Sequence, residues 1–189
     1  YGLKDNVARK AGTMGKEENK GMEFWTQEEF QKFLERVADK PISYYAFEML
    51  YWTGIREGEL LALTPADFNF EKKTLRINKS YQRLEGEDVI TDPKTPKSNR
   101  TIVMPDFLAM EMEDFIKSIY GIKMNDRIFT ISKSYLHHEM DRGATLAGVK
   151  RIRIHGLRHS HISLLINLGF SALAIGERVG HEAVDITYH

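Results

Sequence analysis

The chain has 189 residues, 42% of them hydrophobic, and carries 27 basic and 27 acidic side chains for a formal net charge of zero. That length suits one ordinary domain with a full core. The absence of cysteine excludes disulfides, thiolate chemistry and cysteine-held zinc, and no apolar run approaches the length of a membrane span.

In chain order, residues 1–21 are polar, with four glycines, and read as a linker from a preceding domain. "FWTQEEFQKFLERV" starts a helix: Thr26 and Glu29 form a capping box, and Phe30, Phe33, Leu34 and Val37 make an apolar stripe. Pro41 opens a second helix that Gly54 ends, and "REGELLAL" is a third, broken at Thr64-Pro65. "KKTLRINKS", "DVIT" and "RTIVM" then read as strands, with "DPKTPKSN" as a hairpin loop between the last two. After Pro105 four helical stretches follow, ending in "ALAIGERVG". The expected fold class is α+β, mostly α: a helical domain over residues 22–189 with a small three-stranded antiparallel sheet.

Charge is unevenly placed. Between Arg142 and Arg158 there are five basic residues (Arg142, Lys150, Arg151, Arg153, Arg158) and no acidic one. A second cluster holds Lys94, Lys97 and Arg100. This fits either one basic face or charge scattered over a solvated surface; zero net charge leans against a nucleic-acid binder. In "IHGLRHSHISLL", His155 and Arg158 share a helix face near its first turn, an arrangement suited to an anion such as phosphate. A buried histidine and an arginine paired to a carboxylate fit the same letters. His155 and His159 have zinc-helix spacing, but Gly156 stands where that motif needs a glutamate. Arg56 lies between Gly54 and Gly58 with Glu59 one turn on: a held arginine, or an ordinary surface pair. Lys94 is either solvated or a proton donor carried on a loop.

Together, "TGIREGELLAL", "PKTPKSNRTI", "HGLRHSHISLL" and "VGHEAVDITYH" resemble the catalytic domain of the tyrosine recombinases, also called phage-type integrases. The "PKTPKSNRTI" wording is similar to that of conjugative-transposon integrases. The resemblance implies that Arg56 and Arg158 clamp a scissile phosphate and that Glu59 supports the first arginine. It implies that Lys94, rather than Lys97, protonates the leaving 5′ oxygen, and that His155 and His181 contact the phosphate or move protons. Lys97, Arg100, Lys150, Arg151 and Arg153 are the expected DNA contacts. The family's nucleophilic tyrosine lies about ten residues after the Gly-His histidine. Tyr188 is only seven after His181, so the nucleophile is expected beyond His189, with Tyr188 the lesser candidate. The resemblance further implies double-stranded DNA as partner, a homotetramer during recombination, a bacterial cytoplasmic location, association with the nucleoid, and no metal or cofactor. A silent DNA-binding relative and a type IB topoisomerase are the competing functions.

Overall fold

The computed structural model describes residues 23–180. The linker over 1–21, His181 and Tyr188 therefore lie outside the described residues. The first helix, α1 (Gln27–Val37), begins as its letters require: the Thr26 hydroxyl accepts from the Glu29 amide and the Glu29 carboxylate accepts from the Thr26 amide, both at 3.2 Å. Phe30, Phe33, Leu34 and Val37 are buried. α2 (Pro41–Thr53) has proline in its first turn and ends on Gly54 at φ 68°, the left-handed conformation that glycine adopts without strain. α3 (Glu57–Ala62) follows at once, with Arg56 as its N-cap residue.

The strand region is built differently from the expected sheet. A three-stranded antiparallel sheet is present, in the order β1 (Phe68–Asn69), β2 (Thr74–Ile77), β5 (Arg100–Val103). β3 (Ser80–Leu84) and β4 (Glu87–Thr91) form a separate two-stranded sheet. "DVIT" thus pairs with "SYQRL", not with "RTIVM". The hairpin turn is Glu85-Gly86, both at positive φ (49° and 86°), as a two-residue turn between twisted strands demands. "DPKTPKSN" is a crossover from one sheet to the other, containing one 3₁₀ turn at Pro96–Ser98. The three-stranded sheet closes non-locally, with Leu75 opposite Ile102 and both buried.

Four further helices complete the described residues: α4 (Asp106–Ser118), α5 (Lys133–Ala147), α6 (His155–Asn167) and α7 (Ala172–Val179). α1 packs on α5, α2 on α6 and α4, and α7 on β5. One core joins them around Trp25, Phe30, Phe33, Phe47, Tyr51 and Phe129. Each such side chain contributes about 1.5–3 kcal/mol by leaving water. Trp25 does more than fill space. Its amide donates to Ser160 Oγ at 2.8 Å, its indole N–H donates to the Lys150 carbonyl at 2.7 Å, and Ser160 Oγ donates to the Gly156 carbonyl. Gly156 has no room for a side chain, since a Cβ there would lie 2.8 Å from the Glu23 carbonyl. The entering chain is thereby pinned across the start of α6.

Candidate active site

A cleft of about 670 Å³ opens between α3, the β3–β4 sheet, the 92–99 crossover, the start of α5 and the start of α6. Arg56, Glu59, Lys94, His155 and Arg158 all line it, so residues up to 102 positions apart in sequence meet on one surface. Gly180 also borders it, one residue before His181.

The first arginine is held from beneath. Glu59 accepts from the Arg56 amide at 2.8 Å and pairs with the Arg56 guanidinium at 3.2 Å. Arg100 grips the same carboxylate with two parallel bonds of 3.0 and 3.1 Å. Burial pushes the Glu59 carboxyl up, but Arg100 and then Arg56 outweigh it and leave the group below its ordinary value. Arg56 itself stays 41% exposed and lines the cleft.

The second arginine is nearly sealed, at 2% exposure. Its guanidinium donates to the Gly54 carbonyl at 2.7 Å and to the Val179 carbonyl at 2.5 Å. Burial first, then Arg56, pulls Arg158 down to about 9, which leaves it charged at neutral pH. Its nearest hydrogen-bond partners are dipoles, not carboxylates, so its full charge is available to an anion in the cleft. One turn earlier on α6, His155 is exposed at its rim, yet the surrounding walls shield its ring. Desolvation, then His159, Arg158 and Arg56, lower it to about 4, so it is neutral at pH 7 and able to accept a proton. The His159 ring stands edge-on to it at 4.7 Å.

Lys94 lies exposed on the crossover and faces the cleft; Lys97, also exposed, sits in the 3₁₀ turn and does not line it. Arg100 is placed otherwise than expected of a DNA contact. Its side chain is 6% exposed and its donors go to Glu59, the Arg178 carbonyl and the Ser98 carbonyl. It is an internal strut, because a buried Glu59 requires a fixed counter-charge. Lys150, Arg151 and Arg153 are exposed, and Arg151 is already paired with Asp141. Lys79 and Lys133 also line the cleft and were not singled out in the sequence. Lys79 is steered there by Asp67, a fully buried carboxylate. Arg178 is a third unforeseen residue. It donates to His161 Nε2 at 3.0 Å, to the Val103 carbonyl at 2.8 Å and to the Trp52 carbonyl at 3.1 Å. His161, 2% exposed, is kept neutral by burial and then by Arg178, at about 3; its Nδ1 side rests against the Tyr51 backbone without a well-aligned bond.

In total, Arg56 and Arg100 share a single carboxylate, Glu59, and Arg158 stands beside them without a carboxylate partner. Of these arginines Arg56 and Arg158 line the cleft, and the pair can bind an anion and stabilise negative charge that grows on it.

Residues 23–189 match the model of the phage integrase family. The chain is 29% identical over 197 residues to the ICEBs1 integrase of Bacillus subtilis (97% of this chain, 52% of that protein). It is 32% identical over 155 residues to the integrase of Staphylococcus phage L54a (72% of this chain, 43% of that protein). It thus spans about half the length of these relatives. Its fold is similar to that of the Tn1549 transposon integrase solved with a circular intermediate DNA, with TM-score 0.77 and 22% identity over 92% of this chain and 63% of that one. XerA recombinase gives a TM-score of 0.71 at 20% identity, covering 89% of this chain and 58% of that one.

Proposed function

Since the chain belongs to the phage integrase family, we propose that it is the catalytic domain of a site-specific DNA recombinase that integrates and excises a mobile element. The observation that carries this reading is the convergence of Arg56, Arg158, Lys94 and His155 on one cleft in which cationic charge is under-neutralised. A phosphodiester fits that cleft's chemistry. The fork of Arg56 and the buried Arg158 bind its two non-bridging oxygens and hold them more tightly as charge accumulates on phosphorus. A tyrosine oxygen attacks phosphorus and forms a 3′-phosphotyrosyl bond while the bond from phosphorus to the 5′ oxygen breaks. Neutral His155 accepts the phenol proton, directly or through water, and the Lys94 ammonium gives a proton to the departing 5′ oxygen. Rejoining reverses both transfers, with a 5′ hydroxyl from another strand as nucleophile. One ester replaces another of similar energy, so the exchange draws on no cofactor.

His181, adjoining Gly180 at the cleft edge, is the proposed further phosphate ligand. The nucleophile is assigned beyond His189, with Tyr188 as the lesser candidate. Lys97, Lys150, Arg151 and Arg153 are the proposed contacts to flanking phosphates; their contribution is salt-sensitive and sequence-independent. Recombination by this route calls for four copies on two duplexes, in the bacterial cytoplasm at the nucleoid. Among the described residues no helix is long and apolar enough to cross a membrane.

The test is covalent trapping. This chain, and separately a form extended past His189, are incubated with nicked duplex carrying a candidate site and resolved on denaturing gels. An adduct with the extended form alone is the expected result. An adduct with the present chain that is lost in Tyr188→Phe makes Tyr188 the nucleophile. No adduct with either, despite salt-sensitive duplex binding, identifies a silent DNA-binding relative.

A further inference from the structure

The last turn of α7 is tied to both clamping arginines. A helix end leaves its final carbonyls without intrahelical partners and with partial negative charge. Here two of them each receive a guanidinium. The Arg178 carbonyl accepts Arg100 Nε at 2.7 Å, and Arg100 holds Glu59, which holds Arg56. The Val179 carbonyl accepts Arg158. One turn of helix therefore sits at the junction of two arms, one ending at each phosphate-facing arginine. α7 has only eight residues, too few to be rigid alone. Its end is seated by buried Ile175 and Val179 against Ile162 and Leu165, and is oriented by the Arg178 side chain, which reaches the last residues of α2 through Trp52, the end of β5 through Val103, and α6 through His161. The seat for His161 is shaped by Gly54, where a Cβ would lie 2.5 Å from the imidazole Cδ2.

We infer that Arg178 is a positioning residue that sets the spacing of Arg56 and Arg158 by locking the end of α7 on which both arms rest. It touches no phosphate; it acts through Arg100 and Arg158. The inference builds on the recombinase reading for its effect on rate, but the mechanical coupling stands on its own.

Two measurements on the full-length protein test it, with Arg178→Met, which keeps the stem, and Arg178→Lys, which keeps a donor. The first is single-turnover strand cleavage at saturating DNA, well below the variant's melting temperature. Arg178→Met is expected to slow cleavage about 100-fold, the effect of an ångström-scale misplacement, with DNA affinity and its salt dependence within about threefold, and Arg178→Lys to recover part of the rate. The second needs no DNA: amide exchange at Gly180, bonded to Gly176 at the end of α7, and at Leu60, bonded to the Arg56 carbonyl. In Arg178→Met both amides should speed up together while Phe30, in α1, does not. Unchanged exchange at Leu60, or cleavage and affinity falling in proportion, overturns the inference. If the wild-type protein binds no DNA while Arg178→Met still shows the coupled exchange, the recombinase reading is overturned and the coupling stands.

Discussion

Where α5 meets α1 and α2, Glu139 and Asp39 face Arg142 and Lys40. Arg142 reaches Glu139 at 2.6 Å and Asp39 at 2.9 Å, Lys40 lies 3.4 Å from Glu139, and Ser43 adds a bond of 2.6 Å. Two acids meet two bases. Beneath the cleft Arg56 and Arg100 share Glu59, while Arg158 and Arg178 send their donors to backbone carbonyls and, for Arg178, to His161. Both clusters join distant segments through arginine. The first is complete in itself, so its electrostatics serve the fold. The second is left positive, and its arginines depress one another: Arg56 and Arg100 both lower Arg158, and Arg100 lowers Arg178 after burial has done so. An anion entering the cleft would relieve that repulsion. Charge balance thus separates the two clusters even though the residue types are the same.

The largest effect expected from breaking this contrast is at Arg158. Arg158→Lys keeps the charge but cannot reach Gly54, Val179 and a phosphate together, and should lower cleavage by about 10³-fold in a form containing the nucleophile while duplex affinity changes little. Full cleavage would sink the assignment. In the balanced cluster, Glu139→Gln should cost about 2 kcal/mol and lower the thermal midpoint by about 6 °C without altering the salt dependence of DNA binding. Glu139 is buried, and although burial raises it, Arg142, Ser43 and Lys40 bring it down to about 2. Its contribution is therefore complete above the unfolded value near 4.5 and disappears as pH falls toward 2, so the variant's deficit should vanish in acid. A deficit that persists at pH 2 would contradict this.

A smaller effect comes from Glu48, a buried carboxyl against Glu111. Burial, then Glu111, pushes it up to about 8. Between 4.5 and 8 the unfolded chain loses this proton and the folded one keeps it, so stability declines as pH rises through that range. Glu48→Gln should raise the thermal midpoint at pH 8 by a few degrees and leave it unchanged below pH 4.5; equal midpoints at pH 8 would refute the assignment. The smallest effect is at the cleft's edge. Lys79→Met should weaken duplex binding a few-fold and reduce the slope of log affinity against log salt by about one. An unchanged slope would show that Lys79 serves only Asp67.

Local signals were legible wherever the cause is local. The Thr26–Glu29 box, Pro41 and Gly54 mark helix ends by bonds made within a few residues, and they appear where the letters place them. Strand pairing was not legible because β2 takes partners 23 to 29 residues away, while "SYQRL" carries too little apolar alternation to announce β3. At the site, Arg56, Lys94, His155 and Arg158 stood out as a combination of motifs. Lys79 and Lys133 did not, since a single lysine reads as solvated in any sequence. Arg100 was assigned to the surface because charge alone does not reveal burial; its partner Glu59 lies 41 residues earlier, and only the fold brings them together. Arg178 was hidden for the same reason, with its contacts spread over Trp52, Val103 and His161.

The pinning of Trp25 has a mechanical meaning. Its amide bonds to Ser160 and Ser160 to Gly156, on the helix that carries His155 and Arg158. Trp25 is consequently joined to that helix by two bonds in series, so the described chain enters α6 through a stiff link and not a swivel. A displacement at Trp25 would therefore be passed to α6 and reach the Arg158 guanidinium within a few bonds, without any message crossing the core.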